Sequence, residues 1–369
     1  MSEEAATAPG LALGRRWRRL LLPLLVVVPL YFLFLAYPPL RLISLLQPQW
    51  QPQTLVLLAI FVGPALGRLA YEQFPGAATR NLAALTMTWC GVCFIALCLL
   101  LPYELVNLVL QLPALTSGLY LLGGTAALSF VALVNAQQIM LKTFELDIPA
   151  ASVPLTLVQI SDVHIGSRRP RFLTRVVRQV NTIPADFVLI TGDLIDFRDI
   201  SQAQLQPLSE LRAPALFCIG NHERYVDLEA ICARLENIGV TVLRNQTVAH
   251  ADVQFIGIDD AESKNQISHE LPRVDPIPDK LRILLYHRPD GAEAAAAWGA
   301  HLMLCGHTHN GQIFPFNYLV KRQFARIQGL YPISDMFLYV SPGTGTWGPV
   351  MRLGTRSEIT EIRIKPHIR

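Results

Sequence analysis

Several stretches of the sequence end an apolar run with residues that can bind a metal ion. The first run, Leu157 to Ile160, leads into Asp162 and His164. An extended segment points residues i and i+2 to the same side, so we expect this carboxylate and this imidazole to reach one cation together. A carboxylate and an imidazole at that spacing suit a divalent metal of hard or borderline character. The sequence therefore predicts a divalent metal site.

Four later stretches repeat this arrangement. Of the nine histidines in the chain, five lie in these stretches and the first one. The glycines that precede three of the polar groups are expected to let the backbone turn sharply. The four stretches are Gly192-Asp193-Leu194-Ile195-Asp196, Gly220-Asn221-His222-Glu223, His287, and Gly306-His307-Thr308-His309.

Alternating strands and helices must position these groups. After the first strand, Phe172, Val176 and Val180 recur at helical spacing and predict a strand–helix unit. Ligand groups at the carboxyl ends of strands are typical of open α/β sheets. The sequence thus predicts a mixed α/β fold. Further strands are predicted at Phe187–Thr191, Ala215–Ile219, Val240–Leu243, Val253–Ile258, Arg282–Tyr286, Leu302–Cys305, Phe337–Val340 and Glu358–Ile364.

The composition divides the chain into two parts. Of its 369 residues 51% are hydrophobic, and the mean hydropathy is +0.35. Charge is scarce before about residue 142 and normal after it. We predict a membrane domain over residues 1–145 and one globular domain over residues 146–369. The net charge is only +3 and no basic run occurs, so no nucleic-acid partner is expected.

The first part predicts about four transmembrane helices. The first span follows a basic flank, which also suits a signal peptide, but it lacks a small-residue cleavage site and more spans follow. No Asp, Glu, Lys or His lies in the middle of a span, which disfavours an ion pathway or a transporter. The spans are Leu20–Leu40, Thr54–Ala70, Leu82–Leu101 and about Leu115–Ala136.

Basic residues predict the orientation. One side would carry Arg15, Arg16, Arg18, Arg19, Arg68, Arg80 and Lys142, and the other side Arg41 and a 102–114 loop without Lys or Arg. The positive-inside rule then places the globular domain in the cytoplasm. A re-entrant second segment would reverse the side of the domain. Free cysteines in the globular part agree with a reducing compartment.

Taken together, the five stretches resemble the motif set of the calcineurin-like metallophosphoesterases, in order across residues 162–309. Gly306–Ile313 and Gly343–Arg352 resemble a bacterial branch of membrane-anchored or exported phosphodiesterases. That branch has Gly where this chain has Asn310, a departure that leaves the ligand set intact. The resemblance covers roughly residues 153–364 and implies a four-layer α/β/β/α sandwich.

The resemblance also implies two divalent metal ions and a role for each group. Asp162, His164 and His309 would hold the first metal, Asp193 would bridge, and Asn221, His287 and His307 would hold the second. His222 would protonate the leaving oxygen or steady the transition state, oriented by Asp196 or Glu223. Mixed oxygen and nitrogen ligands suit Mn²⁺, Fe or Zn²⁺.

The predicted function is a membrane-anchored phosphoesterase that cleaves a phosphodiester or pyrophosphate bond by metal-bound hydroxide. Attachment to a bilayer suggests a lipid-linked substrate as a hypothesis. The alternative is a catalytically silent membrane scaffold or sensor with the same fold. The complete set of seven metal ligands favours the enzyme.

Two features allow two interpretations each. The amphipathic stretch Phe314–Tyr331 either forms a lip on the membrane surface or is an ordinary, partly buried loop. Arg168 and Arg169 either contact a phosphate or belong to a solvated helix start.

Overall fold

The computed structural model describes residues 25–366. Its first part consists of four helices that are long and apolar enough to cross a membrane, as predicted. The predicted Arg15–Arg19 cluster and the start of the first span lie outside the described residues. The helices are α1 Leu25–Leu46, α2 Thr54–Gln73, α3 Ala77–Leu110 and α4 Ala114–Gln137.

Helix α3 extends beyond its predicted end. It continues through Pro102 to Leu110, so the predicted 102–114 loop is only residues 111–113. Glu104 therefore lies within α3, where its carboxylate accepts hydrogen bonds from Arg41 Nε at 2.6 Å and from the Tyr37 hydroxyl at 3.0 Å. Pairing lowers the cost of placing these charges near one end of the apolar bundle.

The second part contains two six-stranded sheets. The first has the order β1-β12-β2-β3-β4-β5 and the second β10-β11-β9-β8-β7-β6. The strands are β1 Ile139–Ile148, β2 Leu155–Ile160, β3 Phe187–Thr191, β4 Ala215–Cys218, β5 Val240–Val242, β6 Gln246–His250, β7 Val253–Ile258, β8 Leu281–Tyr286, β9 Leu302–Cys305, β10 Gly329–Ile333, β11 Met336–Val340 and β12 Ser357–Pro366.

The two sheets and their helices form four layers, with an apolar core between each pair of neighbouring layers. Leu157, Leu189 and Phe255 belong to the core between the two sheets. Helices on the outer faces cover the other two cores, around Val176 and Ile267. This is the α/β/β/α architecture that was expected. The helices are α5 Pro170–Val180, α6 Gln202–Leu205, α7 Asn221–Tyr225, α8 Leu228–Glu236, α9 Gln266–Glu270, α10 Ala292–Trp298 and α11 Asn317–Gln323, with 3₁₀ turns at Gln206–Glu210, Leu271–Arg273 and His309–Gly311.

Strand β1 joins the two parts and was not predicted. It begins at Ile139, directly after α4, and pairs in parallel with β12 along its whole length, from Ile139 beside Ser357 to Ile148 beside Pro366. Most of its side chains are exposed, so it lacks the apolar alternation that marks a half-buried strand. The predicted division between residues 145 and 146 falls inside this strand, and we propose Gln138 as the boundary instead.

The second part packs against one end of the helical bundle. Arg80 of α3 forms an ion pair with Asp199 at 2.6 Å, and the Tyr71 hydroxyl of α2 donates to the same carboxylate. The Arg352 backbone N–H donates to the Ala132 carbonyl of α4 at 2.8 Å. These contacts hold the domain beside α2, α3 and α4.

Candidate metal centre

The predicted site lies at the carboxyl ends of five strands, as the sequence indicated. Strands β2, β3, β4, β8 and β9 are each followed by one or more of its side chains. The structure brings all nine predicted residues together. Three groups have ligand atoms within 4.8 Å of one another: Asp162, His164 and His309; Asp193, His287 and His307; and His164, Asp193 and His222.

The backbone places these groups differently from the expected extended segment. Strand β2 ends at Ile160, and beyond it Asp162 and His164 have φ angles of 53° and 55°. Left-handed backbone also occurs at Asp193, His307 and His309. For a residue with a Cβ, this backbone conformation costs on the order of 1 kcal/mol of free energy. The side chains of the candidate ligands are therefore brought together by tight turns after the strands and not by the alternation of side chains along a strand.

The glycines beside the ligands act mainly through the space they leave. Gly192 has a φ of +83°, in agreement with the predicted sharp turn. Gly220 and Gly306 do not have left-handed backbone, but a Cβ there would clash with Asp193 Oδ1 and Asp162 Oδ2, respectively. These two glycines allow the neighbouring loops to approach the carboxylates.

One end of the site is formed by Asp162, His164 and His309. The His164 and His309 Nε2 atoms face each other at 3.0 Å, and Asp162 Oδ1 lies 3.3 Å from His309 Nε2. His164 Nδ1 lies 2.5 Å from Asp196 Oδ1, a contact that fixes the tautomer with a free lone pair on Nε2. These three groups are suited to hold one cation.

The other end contains His287, His307 and Asn221. His287 Nδ1 donates to the Thr191 carbonyl at 2.8 Å, which leaves Nε2 free to face His307 Nδ1 at 3.2 Å. Asn221 Oδ1 is buried and has no hydrogen-bond partner among the described residues. A buried acceptor without a donor is costly, and a cation would satisfy it.

Asp193 lies between the two ends. Its Oδ2 is 3.1 Å from His287 Nε2 and 3.9 Å from His164 Nε2. An anionic carboxylate in this position is suited to bridge two cations. The donor set of carboxylates, imidazoles and one amide oxygen therefore fits a pair of divalent ions such as Mn²⁺, Fe or Zn²⁺.

His222 lies beside this centre and contacts two of its carboxylates. Its Nδ1 lies 2.7 Å from Asp196 Oδ1, and its Nε2 lies 3.8 Å from Asp193 Oδ2. Burial alone would lower the pKa of His222, but Asp193 and Asp196 raise it to about 9. Burial would likewise raise the pKa of Asp196, but His164 and His222 hold it well below its usual value.

Glu223, the alternative partner of His222, has another role in the structure. Its carboxylate accepts hydrogen bonds from the backbone N–H groups of Asp193, Leu194, Ile195 and Gly220, at 2.7–3.1 Å. Burial and the nearby charge of Asp193 raise the pKa of Glu223. Asp196 is the carboxylate that contacts His222, whereas Glu223 holds the turn after β3.

Arg352 is a site residue that the sequence did not reveal. Its side chain is fully buried and donates to the carbonyls of Pro342, Gly343 and Gly345, while Nη2 lies 3.5 Å from His309 Nδ1. Burial lowers the pKa of Arg352 to about 10. The stretch Gly343–Arg352 was singled out by resemblance, but no motif marks this arginine as a support for His309.

Two cavities open onto the centre. We call the first, of about 500 Å³, the apolar groove, because Phe34, Phe94, Phe316, Val320 and Trp347 line it together with metal-centre residues. The second, of about 690 Å³, has both charged and apolar lining residues and lies between His222 and Asp196 on one side and α2 on the other. His222 lines both cavities.

The stretch Phe314–Tyr331 forms one wall of the apolar groove. It contains α11, and Phe314, Tyr318 and Leu319 are exposed on it. The Phe316 ring lies 6.0 Å from the Phe94 ring of α3, in an edge-to-face arrangement. Phe324 and Ile327 of the same stretch are buried, so the segment is partly buried, and both interpretations of it stay open.

Comparison with known proteins assigns the second part to a family. The family model for calcineurin-like phosphoesterases matches residues 155–311. The chain is 36% identical over 270 residues to the transmembrane protein with metallophosphoesterase domain of Bos taurus, a match covering 64% of this chain and 60% of that protein. It is 31% identical over 249 residues to the uncharacterized metallophosphoesterase YkuE of Bacillus subtilis, covering 61% of this chain and 86% of that one.

Solved structures show weaker likeness. The phosphopantetheinyl hydrolase of Mycobacterium tuberculosis is 14% identical, with 53% of this chain and 90% of that one covered at a TM-score of 0.33. The 5'-nucleotidase precursor of Thermus thermophilus is 15% identical, with 57% and 55% covered at a TM-score of 0.31. The family match and the sequence relatives confirm the resemblance on which the metal site was predicted: this chain belongs to the calcineurin-like phosphoesterases, a family of metal-dependent phosphoester hydrolases.

Proposed function

We propose that the chain hydrolyses a phosphodiester or pyrophosphate bond in a lipid-linked substrate. The observation that carries this proposal is that the candidate metal centre opens into the apolar groove, one wall of which is formed by the helices α1 and α3. A water-soluble substrate requires no such wall.

The proposed metal ligands follow the geometry of the two ends. Bound there, two divalent cations would polarise the phosphoryl oxygens and lower the pKa of an attacking water. The first ion would be held by Asp162, His164 and His309, the second by Asn221, His287 and His307, with Asp193 shared.

His222 would supply the proton for the leaving oxygen. The carboxylates of Asp193 and Asp196 favour the charged imidazolium form, and His222 Nε2 lies 3.8 Å from Asp193 Oδ2. Asp196 holds the other nitrogen and so fixes the ring. Such a positioned acid favours departure of an alkoxide or a phosphate.

The depth of the groove supports a lipid substrate. Helix α3 carries no charged residue between Arg80 and Glu104. At 1.5 Å per residue this stretch is about 36 Å long, close to the ~30 Å hydrocarbon core of a bilayer. Gly91 and Phe94, which line the groove, lie near its middle. An acyl or prenyl chain would thus reach the metal centre sideways from the bilayer.

We place the domain in the cytoplasm of a bacterial cell. Arg68 and Arg80 lie at the end of the bundle that carries the domain, while Arg41 at the other end is paired with Glu104. The positive-inside rule favours this orientation.

The metal-dependent reaction is tested with the full chain in detergent. We expect hydrolysis of bis-p-nitrophenyl phosphate with Mn²⁺, none with a chelator, and a loss of about 100-fold or more in Asp193→Asn and His222→Ala. Asp193→Asn should also bind less metal, whereas His222→Ala should keep it. No hydrolysis of any phosphoester by protein that binds two metal ions would favour a scaffold or sensor.

The lipid part is tested by chain length. We expect long-chain phosphodiesters in mixed micelles to be cleaved more efficiently than short-chain analogues. Phe316→Ala should raise KM for the long-chain substrate several-fold and leave bis-p-nitrophenyl phosphate hydrolysis unchanged. Phe130→Ala is the matched control, because Phe130 is exposed on α4 and does not line the groove. Equal use of short and long chains by the wild type would refute the lipid part alone.

A further inference from the structure

A third cavity, of about 1150 Å³, lies between α3 and the beginning of α5. None of the proposed metal ligands lines it, so it is separate from the metal centre. We call it the basic cavity, because five arginines and no acidic residue are among its lining residues: Arg80, Arg168, Arg169, Arg171 and Arg175.

Most of this positive charge has no carboxylate partner, although the Arg168 and Arg175 guanidinium groups lie 3.8 and 5.4 Å from the Phe172 ring centroid. Arg80 is paired with Asp199 at 2.6 Å. For the other four arginines, no carboxylate within residues 25–366 lies at ion-pair distance. Such a concentration of one charge beside a low-dielectric wall attracts an anion.

Arg168 gives the second, independent indication of an anion. Its side chain is only 3% exposed, which excludes the solvated interpretation for this residue. Nη2 donates to the Ala136 carbonyl at 3.0 Å and to Gln137 Oε1 at 3.2 Å. Nη1 is buried and has no acceptor among the described residues. A buried guanidinium donor without an acceptor is costly, so a ligand oxygen would stabilise it.

The beginning of helix α5 adds the positive end of the helix dipole to the same cavity, although Pro170 has no N–H and the Phe172 N–H donates to the Arg169 carbonyl at 2.8 Å. The helix has eleven residues, starts at Pro170, and has no side-chain cap from Arg169 and no acidic residue in its first turn. The dipole at the start of a helix favours a phosphate or carboxylate. Pro170 and Arg171 both line the cavity.

The remaining wall indicates that the anion belongs to a lipid. Ala84, Leu85 and Thr88 of α3 line the cavity, and Leu85 is 67% exposed. These residues lie toward the Arg80 end of the uncharged stretch of α3, where a bilayer would place its headgroups. We propose that the basic cavity binds the phosphate of an anionic phospholipid, with an acyl chain along this side of α3.

The proposal is tested by lipid binding to the delipidated full chain in detergent. The probes are phosphatidylglycerol, phosphatidylcholine with the same acyl chains, and soluble glycerol 3-phosphate. The cavity variant is Arg169→Gln with Arg171→Gln, both exposed. The control variant is Arg178→Gln with Arg212→Gln, which removes the same charge from exposed residues that do not line the cavity.

We expect wild type and control to bind phosphatidylglycerol at least about tenfold more tightly than phosphatidylcholine, and the cavity variant to lose most of this preference. Equal affinity for the two lipids, or equal loss in both variants, would overturn the proposal. Glycerol 3-phosphate binding as tight as that of phosphatidylglycerol would assign the site to a free phosphate and reject the lipid. Binding is measured without turnover, so the result holds whether or not the chain hydrolyses any substrate.

Discussion

Gly306 illustrates how single residues control the candidate metal centre. A Cβ at this position would clash with Asp162 Oδ2 and Ser161 Oγ. We expect Gly306→Ala to displace the Asp162 carboxylate, to weaken metal binding by tenfold or more, and to lower hydrolysis in proportion. Metal content after dialysis and activity with excess Mn²⁺ measure this.

A second glycine provides the control for that substitution. Gly76 has no atom within 4 Å of a Cβ and has extended backbone, so Gly76→Ala should retain metal and activity. Unchanged metal content in Gly306→Ala would show that Asp162 is not a ligand or that the loop moves freely.

His301, outside the predicted site, should make stability depend on pH. Its Nδ1 accepts a hydrogen bond from the Arg282 backbone N–H, and burial followed by the Arg282 charge lowers the pKa of His301 to about 4. In the unfolded chain this pKa is about 6.5. The stabilisation is therefore complete above about pH 6.5 and is lost as the pH falls toward 4.

The His301 effect is measured as a difference between two proteins. His301→Asn keeps an acceptor but does not titrate. Between pH 7 and pH 4.5 we expect the free energy of unfolding to fall more in the wild type than in this variant. Parallel pH profiles would contradict the prediction.

The sequence predicted the identities of the site residues better than their conformations. Asp162, His164 and the other ligands follow apolar runs, and residue type and order alone indicate their chemistry. Their left-handed backbone could not be predicted, because it is imposed by loops such as the one that Glu223 holds. The role of Arg352 depends on carbonyl groups that only the folded chain brings together.

At the scale of elements, the turn after β3 depends on Glu223. The native Glu223 carboxylate accepts hydrogen bonds from backbone N–H groups on both of its oxygens. Glu223→Gln replaces one of these oxygens with an amide NH₂, which cannot accept them. We expect the free energy of unfolding to fall by about 1–3 kcal/mol, together with weaker metal retention at Asp193. Glu236→Gln, on the exposed end of α8, should change neither quantity in chemical denaturation and metal analysis. If the two variants have the same free energy of unfolding, Glu223 does not stabilise the turn after β3.

The buried strands were predictable and the exposed ones were not. Continuous apolar runs identify β3, β4, β8 and β9, because both faces of these strands are covered. Edge strand β1 lacks that pattern, and its partner β12 lies more than 200 residues away along the chain. Helix α3 continued beyond its predicted end because Pro102 is tolerated in a membrane helix.

At the scale of the whole molecule, the proposed orientation predicts which sites a membrane-impermeant thiol reagent reaches. The six native cysteines lie in the membrane helices or are buried. Ser209→Cys adds an exposed thiol to the domain, and Gln51→Cys adds one to the loop between α1 and α2.

In intact cells we expect labelling of Gln51→Cys only, and labelling of Ser209→Cys after permeabilisation. The reverse pattern would place the domain outside the cytoplasm.

The apolar groove could not be predicted from the sequence, because its walls come from Phe94 in one part of the chain and Phe316 in the other.

The pairing of β1 with β12 has a consequence for the order of events during synthesis. Strand β1 leaves the ribosome directly after α4, but both β1 and β2 obtain their shared neighbour only when residues 357–366 are made. Until then the first sheet has an open edge at the membrane surface. Insertion of the helices therefore precedes closure of the domain, and a nascent chain stalled before residue 357 exposes two unpaired strand edges, which makes it prone to aggregate or to be degraded.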